Sequence, residues 1–241
     1  MKPPQDSETA PNFEFDALRA ADNYRHSLIR EFRPHLRGRV IEVGAGIGQM
    51  TQLLRGLTTV ERLLCIEPDS ALCREFRHSL PDQPLLEGTV NLLPGTERSG
   101  WNAIISVNVL EHIQEDEAEL TEYASLLREA GGRLCLFVPA RPEIYAPIDA
   151  DFGHFRRYTR RELKRKLGVA GLEIVRLDYF NFIGYFAWWF SFRLLKQRKF
   201  NPAQVRLFDR FIFPVVNFLE SRVARPPFGQ SLLCVASAHQ K

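Results

Sequence analysis

Residues Arg39 to Met50, RVIEVGAGIGQM, constrain the fold more than any other stretch of this 241-residue chain. An apolar run (Val40, Ile41, Val43) stops at Gly44-Ala45-Gly46-Ile47-Gly48, and a helical pattern begins near Gln49. A buried strand that turns this sharply into a helix needs glycine where the backbone bends or a ligand comes close. The helix start then offers unpaired N–H groups and a partial positive charge to an anionic ligand group. The spacing is GxGxG, with Glu42 two residues ahead of Gly44. A dinucleotide fingerprint, GxGxxG, would place a glycine where Gln49 stands.

The rest of the chain continues the alternation. Helical period is expected from about Phe15 to Leu36, where Leu18, Asn23, Tyr24, Leu28 and Phe32 recur. Strands are expected at Arg39–Val43, Arg62–Ile66, Pro84–Glu87, Trp101–Val107, Arg133–Val138, Leu172–Leu177 and Leu232–Ala236. Helices are expected at Gln49–Arg55, Ser70–Ser79, Glu115–Arg128 and Thr159–Leu167, the last opened by Thr159 with Glu162 as a capping box. Strands spaced by helices imply parallel pairing with helices on both faces of the sheet. Ligands bind such sheets beyond the carboxyl ends of the strands, where the glycines and acids of this chain collect.

Composition narrows the class further. With 45% hydrophobic and 25% charged residues the chain reads as an ordinary soluble domain. A net charge of +3 does not mark a nucleic-acid binder. The N-terminus, MKPPQDSETAPNFEFD, lacks the apolar core of a signal peptide and reads as a frayed lead-in. Cys65, Cys73, Cys135 and Cys234 have neither metal-site nor redox spacing, which suits reduced thiols in the cytoplasm. No apolar run reaches the roughly 18–20 residues needed to span a bilayer.

Glu67 ends the second strand about twenty residues past the glycine turn, where a carboxylate can accept two hydrogen bonds from a ribose diol. The glycine turn, Glu67 and the segment Asn108-Val109-Leu110-Glu111-His112-Ile113 together resemble the cofactor site of class I S-adenosylmethionine (SAM) dependent methyltransferases. The resemblance implies a seven-stranded Rossmann-like sheet with the last strand antiparallel. It also implies SAM as cofactor and S-adenosylhomocysteine as product. The cofactor contacts it implies are Tyr24, Glu42, Gly44, Ala45, Gly46, Gly48, Glu67, Pro68, Thr89, Val90, Asn108, Val109 and His112. Thr89 stands where such enzymes often carry an acid facing the adenine, so backbone groups of Thr89-Val90 are expected there instead. Quinone O-methyltransferases bind a divalent ion through glutamates at both outer positions of a related segment. Asn108 replaces the first, and no metal is expected.

A second block, Pro139 to Arg161 (PARPEIYAPIDADFGHFRRYTRR), resembles a bacterial subgroup of the same methyltransferases, of the type 11/12 kind. It carries Pro139-Ala140, Asp149, Gly153-His154 and Arg156-Arg157-Tyr158-Thr159. The likeness continues through Tyr179-Phe180-Asn181 and Pro227 to Leu232, and so covers nearly the whole chain. Methyl transfer is an in-line displacement in which alignment supplies much of the catalysis, and a base is needed when the nucleophile arrives protonated. An imidazole, with an unperturbed pKa of about 6.5, suits that task, so His154 is the candidate base and Asp149 its orienting partner. The competing view makes Asp149, His154 and Arg156 a structural network. Arg156 and Arg157 are candidates to hold an anionic group, and the basic run Arg160, Arg161, Lys164, Arg165 and Lys166 reads as a solvated helix face.

From Asp178 to Gly229 the character changes, with Tyr179, Phe180, Phe182, Tyr185, Phe186, Trp188, Trp189, Phe190 and Phe192 crowded together and basic residues following. Aromatic side chains build apolar cavity walls. The expectation is a helical lid over residues 181–230 on a single domain, 1–241, preceded by a helical lead-in over 1–37. The lid would receive a small-molecule or lipid-linked acceptor, methylated on oxygen rather than nitrogen or carbon. Tyr145, Arg156, Tyr158, Asn181, Tyr185 and Trp188 are its candidate contacts. A homodimer interface and a surface for peripheral membrane contact are alternative uses of the same aromatics. Two rival functions stand beside this one: a nucleic-acid methyltransferase, and a SAM-binding protein without transferase activity. No nucleic-acid partner is expected, because no RNA-binding module or Asn/Asp-Pro-Pro-Tyr/Phe motif accompanies the basic helix.

Overall fold

The computed structural model describes residues 21–222 and 225–238. The part of the expected N-terminal helix before residue 21 lies outside them. Seven strands form one sheet in the order β3-β2-β1-β4-β5-β7-β6. They are β1 (Gly38–Val43), β2 (Val60–Glu67), β3 (Leu85–Glu87), β4 (Ala103–Val107), β5 (Arg133–Pro139), β6 (Leu172–Phe180) and β7 (Ser231–Ala238). Only β7 runs against the others, pairing antiparallel with both β5 and β6. The strand order reverses between β1 and β4, and that is where a ligand crevice opens in such sheets.

Successive side chains of a strand point to opposite faces, so each central strand feeds two cores. Ile41, Ile104, Leu134 and Leu136 pack on one side with Leu120, Tyr123 and Leu127 of α4 (Asp116–Arg128) and Leu163 and Leu167 of α6 (Arg160–Val169). Val40, Ala103, Ile105 and Phe137 pack on the other with α1 (Asp22–Phe32), α2 (Gln49–Arg55) and α3 (Ser70–Ser79). β7 is buried along its whole length because both faces are covered. All four cysteines are buried free thiols.

β6 runs on past the expected end at Leu177 to Phe180, because Asp178, Tyr179 and Phe180 pair with Leu233, Leu232 and Ser231. Thr159 Oγ1 accepts from Glu162 N at 3.1 Å, which starts α6 as expected. The basic face of α6 departs from expectation. Lys166 is buried with Nζ 2.6 Å from Asp116 Oδ1, and Arg160 donates to Leu177 O at 2.6 Å. These two cations fasten α6 to its neighbours.

Three helices precede β7: α7 (Phe182–Trp188), α8 (Pro202–Leu207) and α9 (Phe213–Arg222). Wide π-helical turns, Trp189–Leu194 and Phe208–Ile212, follow α7 and α8. Asn181 opens α7 with φ 60°, its side-chain oxygen accepting from Gly184 N, while Glu220 of α9 accepts from the N–H groups of Asn181 and Phe182. No helix among the described residues is long and apolar enough to cross a membrane.

Candidate active site

The glycine turn is clamped to the end of β2. Gly44 and Ala45 N–H both donate to Ile66 O, at 2.9 and 3.0 Å, and Gly46 N–H donates to Glu67 Oε2 at 2.8 Å. These N–H groups are therefore committed within the protein. These bonds shape the crevice wall, and they belong to the turn ahead of α2 rather than to the N–H groups of its first residues, Gln49 to Thr51. Gly44, at φ 73°, also lets Val109 approach: an added Cβ would lie 2.3 Å from Val109 Cγ2. Gly48, at φ 88°, faces Phe76 of α3 and Leu80 just past its end, and does not line the crevice. Its role is to let α2 pack.

A cavity of about 400 Å³ opens beyond β1, β2 and β4. Tyr24, Glu42, Gly44, Ala45, Gly46, Glu67, Pro68, Asn108, Val109 and His112 all line it, ten of the thirteen residues expected at the cofactor. Besides Gly48, the absentees are Thr89 and Val90. Val90 is fully buried in the core, and Leu72, Ala71 and Asp69 line the wall on that side instead. Asp69 is held there because its side chain caps α3, accepting from Ala71 N and Leu72 N. Glu67 Oε1 accepts from Asp69 N at 3.0 Å, so each carboxylate oxygen is fixed by one backbone donor and keeps a lone pair. Burial raises the Glu67 carboxyl above its ordinary range, against the pull of those two N–H groups. Glu42 faces α2, where Thr51 Oγ1 donates to it at 2.6 Å, and burial pushes its carboxyl up to about 7.

A second cavity, of about 530 Å³, lies under the α7–α9 segment. Trp188, Phe190, Phe192, Phe200, Phe208 and Ile212 supply its apolar wall. Tyr24, Asn108 and Phe152 line both cavities and so form the join. Asn108 has φ 53°, an uncommon backbone for a residue other than glycine, at the point where β4 delivers the chain between the two spaces. The Tyr24 ring packs edge-on to Phe137 and Phe180, and burial raises its phenol well above the usual range against a hydrogen bond with Ser231.

His154 lines the second cavity and His112 the first, and their rings meet edge to face at 4.6 Å. Asp149, on the short helix α5 (Pro147–Asp151), is fully buried. It accepts from Ala146 N at 2.8 Å, from Arg157 Nε at 2.9 Å and from the His154 ring at 3.1 Å. Burial works to raise the Asp149 carboxyl, but His154 and Arg157 outweigh it and hold it below the ordinary range. An ionised Asp149 makes His154 Nδ1 the donor, so that in a neutral ring the lone pair is on Nε2. That Nε2 is buried with no hydrogen-bond partner. His112 is kept neutral: burial, helped by His154, pushes it down to about 4.

The expected acceptor contacts divide. Trp188 and Asn181 line the aromatic cavity, Trp188 Nε1 donating to Ile144 O at 3.2 Å. Tyr145 supports the loop from behind, its hydroxyl donating to His154 O at 2.7 Å. Tyr185 packs on Phe186 and Phe228 outside the cavity. Tyr158 is fully buried away from both cavities, its hydroxyl 2.8 Å from Asp116 Oδ2 and donating to neither space. Arg156 points outward to Gln114 O and Asp116. The adjacent Arg157 turns inward instead, pairing with Asp149 and standing 4.3 Å from the centre of the Trp188 ring. Arg157, expected only as a possible holder of an anionic group, and Phe152, which the sequence reading did not name, both line the aromatic cavity.

Glu111, His112 and His154 each offer a metal-ligating atom, all within 4.8 Å of one another. They form a group that could hold an ion, at a segment where the sequence led to no metal being expected.

A crevice at the β1/β4 reversal, a glycine turn braced by an acid at the end of β2, and an antiparallel β7 define the class I methyltransferase fold. The family model described as a methyltransferase domain matches residues 17–177, two thirds of the chain, and the chain belongs to that family. Among solved structures, a chain of the complex between the Haloferax volcanii Trm112 methyltransferase activator and a methyltransferase superposes with a TM-score of 0.61. Identity is 18%, over 95% of this chain and 97% of that one. A Bacillus halodurans methyltransferase gives 0.59 at 17% identity, over 88% and 99%. An S-adenosylmethionine-dependent methyltransferase from Mesorhizobium loti gives 0.58 at 15% identity, over 87% and 95%. No functionally curated protein matches the sequence.

Proposed function

We propose that the protein transfers a methyl group from SAM to the oxygen of an acceptor with a large apolar part, a lipid-linked molecule, held in the aromatic cavity. The observation that carries this reading is the join: a carboxylate-braced cavity and an aromatic cavity share Tyr24, Asn108 and Phe152, with His154 Nε2 buried beside them. Glu67 would hold the ribose diol, the Leu72 and Met50 side an adenine, and the Asn108–His112 backbone the methionine portion. SAM supplies, when bound, a methyl group on a positively charged sulfur. Asp149 keeps the His154 ring oriented, and Nε2 accepts the proton of the acceptor hydroxyl as its oxygen becomes the nucleophile. Arg157, paired with Asp149 and lying on Trp188, fixes that ring against the cavity wall. In this reading the chain works as one domain, with 181–230 as its lid.

Calorimetry with SAM and transfer of a tritiated methyl group into a lipid extract of the producing cell test the proposal. Gly46→Arg, which fills the first cavity, should abolish SAM binding. His154→Ala should lower methyl transfer far more than SAM affinity. Undiminished SAM binding by Gly46→Arg would sink the cofactor site, and label recovered only in RNA would replace the acceptor class.

A further inference from the structure

We propose that the segment 182–222 seats the protein on an anionic bilayer surface, so that the acceptor passes from the membrane directly into the aromatic cavity. The proposal rests on the acceptor reading above and adds the partner from which the acceptor comes. Fifteen large hydrophobic side chains are exposed among the described residues, and eleven of them lie between Phe186 and Leu219. α9 shows the pattern most clearly. Phe213 and Asn217 face inward, yet Val215, Phe218 and Leu219 are also exposed, at 61%, 60% and 50%. A helix packed on a core in water carries polar residues on its outer side, whereas this one exposes three large apolar side chains and, at its end, Arg222.

Charge decides between occupants of that face. Arg193, Lys196, Lys199, Arg206, Arg210 and Arg222 are exposed on the same segment. Its only two acids are turned inward. Asp209 is buried, accepting from the N–H groups of Asn23 and Tyr24, and Glu220 accepts from those of Asn181 and Phe182. Asp151, exposed beside the segment, is paired with Arg198. The segment therefore offers exposed apolar groups and cations and no exposed carboxylate of its own. Two copies meeting symmetrically through it would bring like charges together, whereas anionic headgroups over an acyl layer match both features.

The face is also continuous with the cavity. Phe190, Leu207 and Ile212 are exposed and line the acceptor space as well. The two π-helical turns, Trp189–Leu194 and Phe208–Ile212, supply two of these three residues. Such widened turns recur at functional sites. With no helix able to span a bilayer among the described residues, the contact is interfacial.

Flotation with two vesicle types tests the docking: phosphatidylcholine alone, and the same lipid with about 30 mol% phosphatidylglycerol. The protein should float with the anionic vesicles, and about 0.5 M salt should weaken that binding. The double variant Phe211→Ser/Phe218→Ser should lower vesicle partitioning at least about tenfold. Arg206→Glu/Arg210→Glu should remove the preference for phosphatidylglycerol. All these residues lie outside the cofactor cavity, so SAM affinity by calorimetry should match the wild type and report that the variants fold. Failure of the wild type to float with either vesicle overturns the proposal. So does a concentration-dependent dimer by light scattering that Phe211→Ser/Phe218→Ser dissolves, or vesicle binding indifferent to salt and to both variants. The two readings fail separately. Label transfer from SAM into detergent-dispersed lipid extract without flotation removes the docking alone. Flotation without any label transfer removes the acceptor reading.

Discussion

Replacing Glu67 probes the cofactor assignment where the structure makes it quantitative. Its two oxygens each hold one backbone donor, Gly46 N at 2.8 Å and Asp69 N at 3.0 Å, and each keeps one lone pair for a ribose hydroxyl. A hydrogen bond to a charged group contributes about 1.5–3 kcal/mol. Two such bonds set an upper bound of about 6 kcal/mol, but hydroxyls released by Glu67→Ala regain water in an open crevice. The lower half of the range applies, about 3 kcal/mol, or roughly a hundredfold in Kd. Glu67→Gln keeps the shape but sets an amide NH₂ against the N–H of Gly46 or Asp69, and should weaken binding about tenfold or more.

Calorimetry with both SAM and S-adenosylhomocysteine separates direct contact from long-range attraction. The two ligands share the ribose and differ in the charge on sulfur. Diol recognition predicts the same loss for both, whereas a field effect on the sulfonium would weaken SAM alone. Because burial raises the Glu67 carboxyl, wild-type affinity should fall as pH drops through that raised value, and Glu67→Gln should show no such fall. A Glu67→Gln protein that melts cooperatively and binds both ligands within about twofold of wild type would refute the argument.

Glu42, with its carboxyl pushed up to about 7, binds a proton more readily folded than unfolded. Stability should therefore be fullest at mildly acidic pH and decline as pH rises from about 4.5 to about 7, by on the order of 2–4 kcal/mol. Urea titrations of Glu42→Gln, which can still accept from Thr51, should lack that decline; an unchanged slope would remove Glu42 as its source. His154→Ala should lower methyl transfer about 10²–10⁴-fold with SAM affinity within a few fold. Asp149→Asn should in addition destabilise the fold by about 3 kcal/mol, because Arg157 loses its buried counter-ion. Equal stability of those two variants would argue against the ion pair. Dialysis against EDTA should leave transfer unchanged, and activity restored only by a divalent ion would make His154 a ligand together with Glu111 and His112.

The strand and helix alternation was legible because its signals are local: apolar runs, glycines and caps within a few residues of each other. The same holds for Glu67, whose distance from the turn is one strand–helix–strand unit. Contacts that close over long sequence separations were not legible. Asp209 caps α1 from 186 residues away, and nothing near either residue announces it. Arg156 and Arg157 illustrate a second limit. Neighbouring residues in an extended stretch face opposite ways, so one basic residue had to point inward. Deciding which one required knowing where Asp149 sits. Tyr158 was a candidate acceptor contact, yet its hydroxyl bonds Asp116, which Lys166 also holds, and its ring lies in the core with Leu163 and Leu167 of α6.

Those long-range contacts also connect the two halves of the site. Asp209 stands on the segment that walls the aromatic cavity, and both its oxygens hold the start of α1, at Asn23 N and Tyr24 N. One turn on, Ser27 Oγ donates to Asn217 of α9 at 2.9 Å. Tyr24 itself faces both cavities and packs at 5.1 Å from Phe213 of α9. α1 is thus fastened to the acceptor-side helices while its ring forms part of the cofactor wall. A shift of α8 and α9 that admitted an acceptor would carry Tyr24 with it, since breaking the Asp209 cap would leave a buried carboxylate and two N–H groups unpaired. The geometry therefore ties the aromatic cavity to the glycine-turn cavity through one tyrosine and one aspartate, 185 residues apart in sequence.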